Sequence, residues 1–412
     1  MDFDDTPEEA AFRAEATGWL EQNAELRSPG DKVAGALERD DPETIEAAKA
    51  WQARKADAGW ACITWPREYG GRGGTSIQNV IWGQEEGRFA VAPNIFMIGL
   101  GMAGPTLMVH ATPEQQERWL PKMIRGEEVW CQLFSEPSAG SDLANLRTSA
   151  VREGDEWIVN GQKIWTSGAH YSDWGILVTR SDPTVAKHAG LTYFVVDMKS
   201  PGVECRPIKQ ISGGANFNEV FFNDVRIPDE QRISEVGNGW AVAITTLMNE
   251  RSSIGGGGVG GGVGFRDLLD LTRSVEIDGR PAVEDGGIQE KMADYYVRQK
   301  GLQFTSYRAL TALSRGETPG PGGSIGKLVA AKMRQEMAAL AMELQGAAAG
   351  LLDERLTADE AAWQQAYLWA PGMRIAGGTD EIMRNIIAER VLGLPPEPRV
   401  DKKVAFRDIP TG

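Results

Sequence analysis

A chain of 412 residues with 42% hydrophobic content can fill the cores of two or three domains. Lys and Arg number 43 against 58 Asp and Glu, a net charge of -15 with no basic stripe to neutralise a phosphate backbone, which argues against nucleic acid as a partner. Cys62, Cys131 and Cys205 are too scattered for a disulfide framework, and with only His110, His170 and His188 beside them no metal centre is expected.

The N-terminus MDFDDTPEEA is acidic where a signal or transit peptide would be basic, and no run approaches the roughly 20 apolar residues of a membrane span, so a cytoplasmic location without a membrane span is expected. From the start to about residue 128 the pattern is helical. Thr6-Pro7-Glu9 and Thr112-Pro113-Gln115 each have the form of a capping box. Between them the Pro and Gly density of GWACITWPREYGGRGG, residues 59 to 74, predicts a loop.

From residue 129 to 236 the signal changes to short strands. EWIVNGQKIW places Asn160-Gly161 between two alternating runs and predicts a hairpin there; ILVTR, LTYFVVDM and NEVFFNDVRIP follow, a spacing that suggests a small sandwich or barrel. From 237 to 412 the pattern is helical again, and the Ala- and Met-rich stripe of residues 327 to 348 reads as the core of a bundle. SRGETPGPGGSIG, residues 314 to 326, reads as a connector between bundle helices.

The run NERSSIGGGGVGGGVGF raises a phosphate loop as a possibility, since Gly256, Gly258 and Gly261 satisfy G-x-G-x-x-G and Glu276 follows about 20 residues on. A dinucleotide fingerprint must follow a strand, yet the preceding residues place Trp240, Ile244, Leu247 and Ile254 near one face of a helix. No Lys-Ser or Lys-Thr follows the glycines, so a Walker A loop does not fit either. Glycine here is costly to a helix and permits close approach of a neighbour.

Four segments, residues 131–150, 157–180, 237–251 and 374–393, resemble the acyl-CoA dehydrogenase family of flavoenzymes, and the likeness spans nearly the whole chain. It implies a mainly α protein with a central β domain: an N-terminal helical domain (1–128), a β-barrel middle domain (129–236) and a C-terminal four-helix bundle domain (237–412). It further implies FAD as cofactor and an acyl-CoA thioester as substrate, which loses an α proton to a carboxylate and a β hydride to the flavin, N5 being the acceptor, to give a trans-2-enoyl-CoA. Electrons would pass to electron-transfer flavoprotein.

By the same resemblance Leu133, Ser135 and Ser141 of the S-E-P-x-A-G-S-D segment, with Trp165 and Ser167 of K-I-W-T-S, form the flavin cradle, and Ser141 also touches the substrate. Taken alone, Trp165 reads equally as a core residue on a strand. The Gly377 N-H would polarise the thioester oxygen, a kind of donor that contributes on the order of 3 kcal/mol to a developing enolate. Gly378 would lie against the substrate, and Thr379 and Glu381 would touch FAD. Glu381 also fits a solvated carboxylate at a helix start.

Many members carry the base in a Glu-Gly-Thr sequence. The equivalent here is Ala376-Gly377-Gly378-Thr379, and Gly377 cannot take a proton. Members resembling isovaleryl-CoA and long-chain acyl-CoA dehydrogenases instead place the Glu before an Arg on the bundle helix, which is Glu250-Arg251 here. Glu250 is therefore expected as base and Arg251 as its catalytic and substrate-side neighbour; a surface carboxylate is the alternative for Glu250.

The family's Arg toward a neighbouring subunit's FAD pyrophosphate has no clean equivalent in RSVEIDGRPAVEDGG, residues 273 to 287, where Arg280 is the available substitute, and LQGAAAG, residues 344 to 350, is also altered. The resemblance implies either a homo-oligomer, dimer or tetramer, or a heterotetramer with a paralogous subunit. A flavin oxidase or monooxygenase, and a subunit with an incomplete flavin site, remain as other readings. Small residues along the acyl tunnel favour a branched or cyclic acyl group, such as a steroid side chain, in a lipid or fatty-acid β-oxidation role.

Overall fold

The computed structural model describes residues 5–27, 41–255, 263–315, 323–353 and 355–409, without the side chains of 251–255, 310, 313, 314 and 358. The glycines of the G-x-G-x-x-G match lie outside the described residues, as do residues 316–322 of the expected connector. Two compact units appear, one holding 2–256 and 397–412, the other 257–396.

In the first unit, helices α1 (Pro7–Asn23), α2 (Pro42–Asp57), α3 (Ser76–Glu86), α4 (Gly104–His110) and α5 (Pro113–Arg125) precede the main sheet, with a two-residue pair β1 (Glu25–Leu26) and β2 (Phe89–Ala90) among them. Both expected capping boxes form: Thr6 with Glu9 starts α1 and Thr112 with Gln115 starts α5, each satisfying two otherwise orphan N-H groups. The Pro- and Gly-rich stretch after α2 is irregular apart from a 3-10 turn at Arg67–Tyr69, and it buries Trp60, Ile63 and Trp65. Trp60 stacks on Trp82 with ring centroids 4.8 Å apart, burial that contributes about 1.5–3 kcal/mol per large side chain.

The middle β domain contains β3 (Trp130–Leu133), β4 (Ser149–Glu153), β5 (Glu156–Ser167), β6 (Trp174–Arg180), β7 (Leu191–Asp197), β8 (Val203–Ile208), β9 (Phe217–Pro228) and β10 (Arg232–Ile233). Their order is β10-β7-β6-β4-β5-β9-β8, with β3 parallel to β6. The β4 to β6 link is a single pair, Ser149 with Arg180.

The hairpin expected at Asn160-Gly161 does not form. β5 runs straight through it, and the chain reverses instead at Gly154 and Asp155, where Gly154 has φ +65° and Glu153 pairs with Glu156. Gly161 serves close approach: a Cβ there would meet the Thr148 Oγ1 at 2.5 Å. Asn160 pairs across the strands with Asp224, its Nδ2 donating to Oδ1 at 2.9 Å, at a bulge rather than a turn.

Helix α6 (Gly239–Gly255) follows the sheet, as its apolar spacing predicts, and Trp240 and Leu247 of that spacing pack, partly buried, against the core. Val242, Ala243 and Thr246 are fully enclosed, whereas Ile244 is 37% exposed. The reason is polar: the Thr246 hydroxyl lies 3.0 Å from both Thr106 Oγ1 and the Tyr193 hydroxyl, and that buried network turns its face inward. Val242 and Ala243 then join the core of Leu107, Trp119, Trp130 and Ile176.

The second unit holds α7 (Phe265–Ser274), α8 (Gly286–Ser314), α9 (Gly323–Gln345), α10 (Ala362–Met373) and α11 (Asp380–Ile386). The Ala/Met stripe is core as expected, with Met333, Met337, Leu340 and Ala341 of α9 packed among Leu268, Met292, Tyr295 and Trp363. Residues 273–287 form a feature the sequence reading passed over. β11 (Glu276–Ile277) and β12 (Arg280–Pro281) pair around Asp278-Gly279, whose φ values of +51° and +76° match the primed hairpin turn that Asp-Gly favours. No helix among the described residues is long and apolar enough to cross a membrane.

Candidate active site

β5 carries the first element of the site. Its pairing with β9 is interrupted between Lys163 and Thr166, and the backbone there bonds elsewhere: the Ile164 N-H donates to the Ser135 carbonyl at 2.8 Å. That bond ties the K-I-W-T-S strand to the S-E-P loop, 29 residues upstream at its start. At the bulge Trp165 takes φ +61°, a left-handed conformation that costs an indole side chain on the order of 1 kcal/mol or more and persists only where surroundings impose it. The consequence is an indole 57% exposed, edge-on to Phe217 at 6.1 Å.

Beneath the bulge a buried ion pair fixes the same two segments. Lys163 Nζ, fully enclosed, donates to Glu136 Oε1 at 2.8 Å and to the Phe134 carbonyl at 3.1 Å. Glu136 also accepts from the N-H groups of Arg147 at 2.6 Å and Thr148 at 2.9 Å. Burial pushes the Glu136 carboxyl upward, but the Lys163 ammonium and these donors outweigh it and hold the group below its ordinary value. Close by, burial lowers the Arg180 guanidinium to about 10, against the opposing pull of Glu136 and Asp182.

Of the expected cradle residues, Leu133 is fully buried at the end of β3, Ser135 and Ser167 are half-buried, and Ser141 is exposed. An exposed indole in an imposed conformation, flanked by half-buried hydroxyls on a loop locked by a buried ion pair, fits one face of a planar aromatic cofactor with a polar rim.

Glu250 lies near the C-terminal end of α6 and is half-buried. Gln132 on β3, which sequence reasoning did not single out, donates its Nε2 to Glu250 Oε2 at 3.3 Å. The Arg251 side chain lies outside the described residues.

The second unit presents its own cluster between α10 and α11. Gly377 and Gly378 take φ +65° and +100°, and the Gly377 N-H has no hydrogen-bond partner among the described residues. Thr379 caps α11, its Oγ1 accepting from the Ile382 N-H at 3.2 Å. Asp380 is buried and pairs with Arg374, whose Nη2 lies 2.6 Å from Oδ2, and the Gly378 carbonyl accepts from Lys327 Nζ. Burial pushes the Lys327 ammonium below its ordinary value, against the pull of Asp380. Glu381 is exposed, in the first turn of α11.

Gly378→Ala is expected to destabilise the turn by about 1–3 kcal/mol, because its φ disfavours any side chain and a Cβ would meet Met383 Cε at 2.5 Å. A thermal melt checks this: an unchanged Tm would mean the turn is free to relax.

The chain matches the models of the N-terminal, middle and C-terminal domains of acyl-CoA dehydrogenases over residues 6–127, 131–225 and 237–392. It is 39% identical over 388 residues to the acyl-CoA dehydrogenase IpdE1 of Mycobacterium tuberculosis, covering 94% of this chain and 98% of that one. Among solved structures it resembles the Tcur3481-Tcur3483 steroid ACAD, with a TM-score of 0.79 and 25% identity over 96% of this chain and 100% of the other. It also resembles a chain of the ChsE4-ChsE5 complex from Mycobacterium tuberculosis, with a TM-score of 0.74 and 26% identity over 96% of this chain and 100% of that one.

Proposed function

The chain belongs to the acyl-CoA dehydrogenase family, whose enzymes use FAD, and on that premise we propose that it desaturates a bulky, ring-bearing acyl-CoA between its α and β carbons with Glu250 as base. The observation that carries this reading is the character of the Gly377 turn. Where the family's commoner base would stand there is a glycine whose N-H has no partner among the described residues, while Glu250, ahead of Arg251 on α6, receives a hydrogen bond from Gln132.

In this reading the Gly377 N-H donates to the thioester oxygen and makes the α C-H acidic, a preorganised donor that needs no rearrangement as charge develops. Glu250 removes the α proton. Gln132 orients that carboxylate through the bond to Oε2, and Arg251, next in sequence, is carried over from the resemblance as a catalytic and substrate-binding residue. By the family resemblance Leu133, Ser135, Ser141, Trp165 and Ser167 would contact FAD, and Thr379 and Glu381 are carried over from the same resemblance as FAD contacts. When bound, FAD supplies the two-electron acceptor for the β hydride. Ser141 and Gly378 would also touch the acyl-CoA, and electron-transfer flavoprotein is the proposed onward acceptor.

The ring-bearing substrate is favoured by the likeness to the Tcur3481-Tcur3483 steroid ACAD. A second reading, one subunit of a heteromeric pair, draws support from residues 273–287. Where the family's arginine toward the FAD pyrophosphate would be expected, the chain folds as the β11–β12 hairpin with Arg280 exposed, and two structural relatives carry paired names. One experiment serves both readings: anaerobic titration of the purified chain with straight, branched and ring-bearing acyl-CoAs, followed by flavin bleaching. Fastest bleaching by ring-bearing thioesters is the expected result, and fastest bleaching by butyryl-CoA would overturn the substrate class. A colourless chain that becomes yellow only with a paralogous subunit would establish the heteromeric reading.

A further inference from the structure

The loop from Ser135 to Arg147 is held at its two ends by different devices. At the Ser135 end the holding groups belong to β5: the Ile164 N-H on the Ser135 carbonyl, and Lys163 on Glu136. At the Ser141 end they come from the connection between β6 and β7 and from the far C-terminus. Lys187 Nζ donates to both carboxylate oxygens of Asp142 at 2.8 Å, and also to Asp401 Oδ2 at 2.5 Å. Arg180 donates through Nη2 to the Ala144 carbonyl at 2.6 Å and through Nη1 to the Lys187 carbonyl at 2.6 Å.

The C-terminal segment closes over this arrangement. The Phe406 N-H donates to the Val185 carbonyl at 2.8 Å, the Arg407 N-H donates to the Pro183 carbonyl at 3.0 Å, and Ala405 pairs with Ala186. The Phe406 ring lies 3.7 Å from the Arg180 guanidinium carbon and 5.8 Å from that of Arg147. Lys187 is thus shared between a carboxylate of the loop and a carboxylate of the segment, and the ring covers the arginine that holds the Ala144 carbonyl at the same end of the loop.

We propose that residues 397–409 are a strap that positions the Ser141 end of the loop for acyl-CoA, with Asp401 and Phe406 as positioning residues. The inference rests on the reading of Ser141 as a substrate contact. Because Lys163 on β5 holds Glu136, whose carboxylate also takes the Arg147 and Thr148 N-H groups, through contacts that include neither Asp401 nor Phe406, the strap acts on thioester binding and leaves cofactor retention to the Lys163 pair. An ion pair that is partly exposed and a cation-π contact each contribute modestly, so removing both has a moderate effect.

The test uses the full-length flavin-loaded protein in the assembly in which the wild type turns over. The double variant Asp401→Asn with Phe406→Ala is expected to raise KM for acyl-CoA about three- to tenfold, while kcat, flavin content and the flavin absorption spectrum stay within about twofold of wild type. Asp401→Glu with Phe406→Tyr, which keeps the charge and the ring, is expected to restore KM. A double variant with wild-type KM, or one that loses flavin and kcat along with KM, would overturn the strap. Failure of the dehydrogenase reading itself would show in the wild-type protein, as no turnover of any acyl-CoA.

Discussion

Glu250→Gln is expected to lower kcat by about 100- to 10,000-fold while KM for acyl-CoA, flavin content and flavin spectrum remain near wild type. The substitution keeps the size and the Oε1 acceptor of the side chain, so Gln132, 3.3 Å away in the wild type, retains an oxygen to bond and α6 need not move. Only the capacity to take a proton is lost. The pattern of equal losses in kcat and kcat/KM is that of a group acting in the transition state, and a rise in KM alone would mark Glu250 as a binding residue. Turnover close to wild type would remove it from the mechanism, since Gly377 has no side chain with which to replace it.

Lys163→Met is expected to be the most damaging substitution away from the reacting carbon. Its ammonium is fully enclosed and is the cation directly bonded to Glu136, whose side chain is only 5% exposed. Methionine matches the stem of lysine but leaves the carboxylate with the Arg147 and Thr148 N-H donors and no bonded cation. Breaking one side of a buried pair costs about 3–5 kcal/mol. Since Glu136 joins the loop to β5, the same change should release flavin; a melt and the ratio of flavin to protein absorbance read the two effects. Adding Glu136→Gln should recover part of the lost stability by removing the stranded charge. A single variant with wild-type Tm and full flavin would show that the pair does not hold the loop.

Local signals were legible in the sequence, and long-range ones were not. The capping boxes at Thr6 and Thr112 are read from residues within a single turn, Glu9 and Gln115 each three positions on, and form as expected. The apolar stripe of α9 repeats at helical spacing and is buried as expected. Asn160-Gly161 misled because the same dipeptide serves a turn or a close approach, and only the position of Thr148 decides between them. The true reversal at Gly154-Asp155 carries a weaker signature, and the Asp278-Gly279 hairpin carried a clear one that was passed over in a region read as helical.

The site follows the same division. The motifs that resemble the family marked Ser135, Trp165 and Gly377, but what holds them was not visible. Lys163 and Glu136 are 27 residues apart, Gln132 and Glu250 are 118 apart, and Lys187 and Asp401 are 214 apart. No periodicity links such pairs, because they are set by which strands neighbour one another and where the chain end returns. The burial of Thr246 on α6 was hidden for a related reason: it looks polar in sequence and is buried by two hydroxyl partners on other elements.

The assignment of Glu250 as the base is tested most directly by proton exchange in the absence of oxidation. An acyl-CoA with no β hydrogen, incubated with flavin-loaded protein in D2O, isolates α-proton removal from hydride loss. Deuterium should enter the α position with the wild-type protein and fail to enter above the uncatalysed rate with Glu250→Gln. Equal incorporation by the two proteins would contradict the assignment of Glu250 as the base.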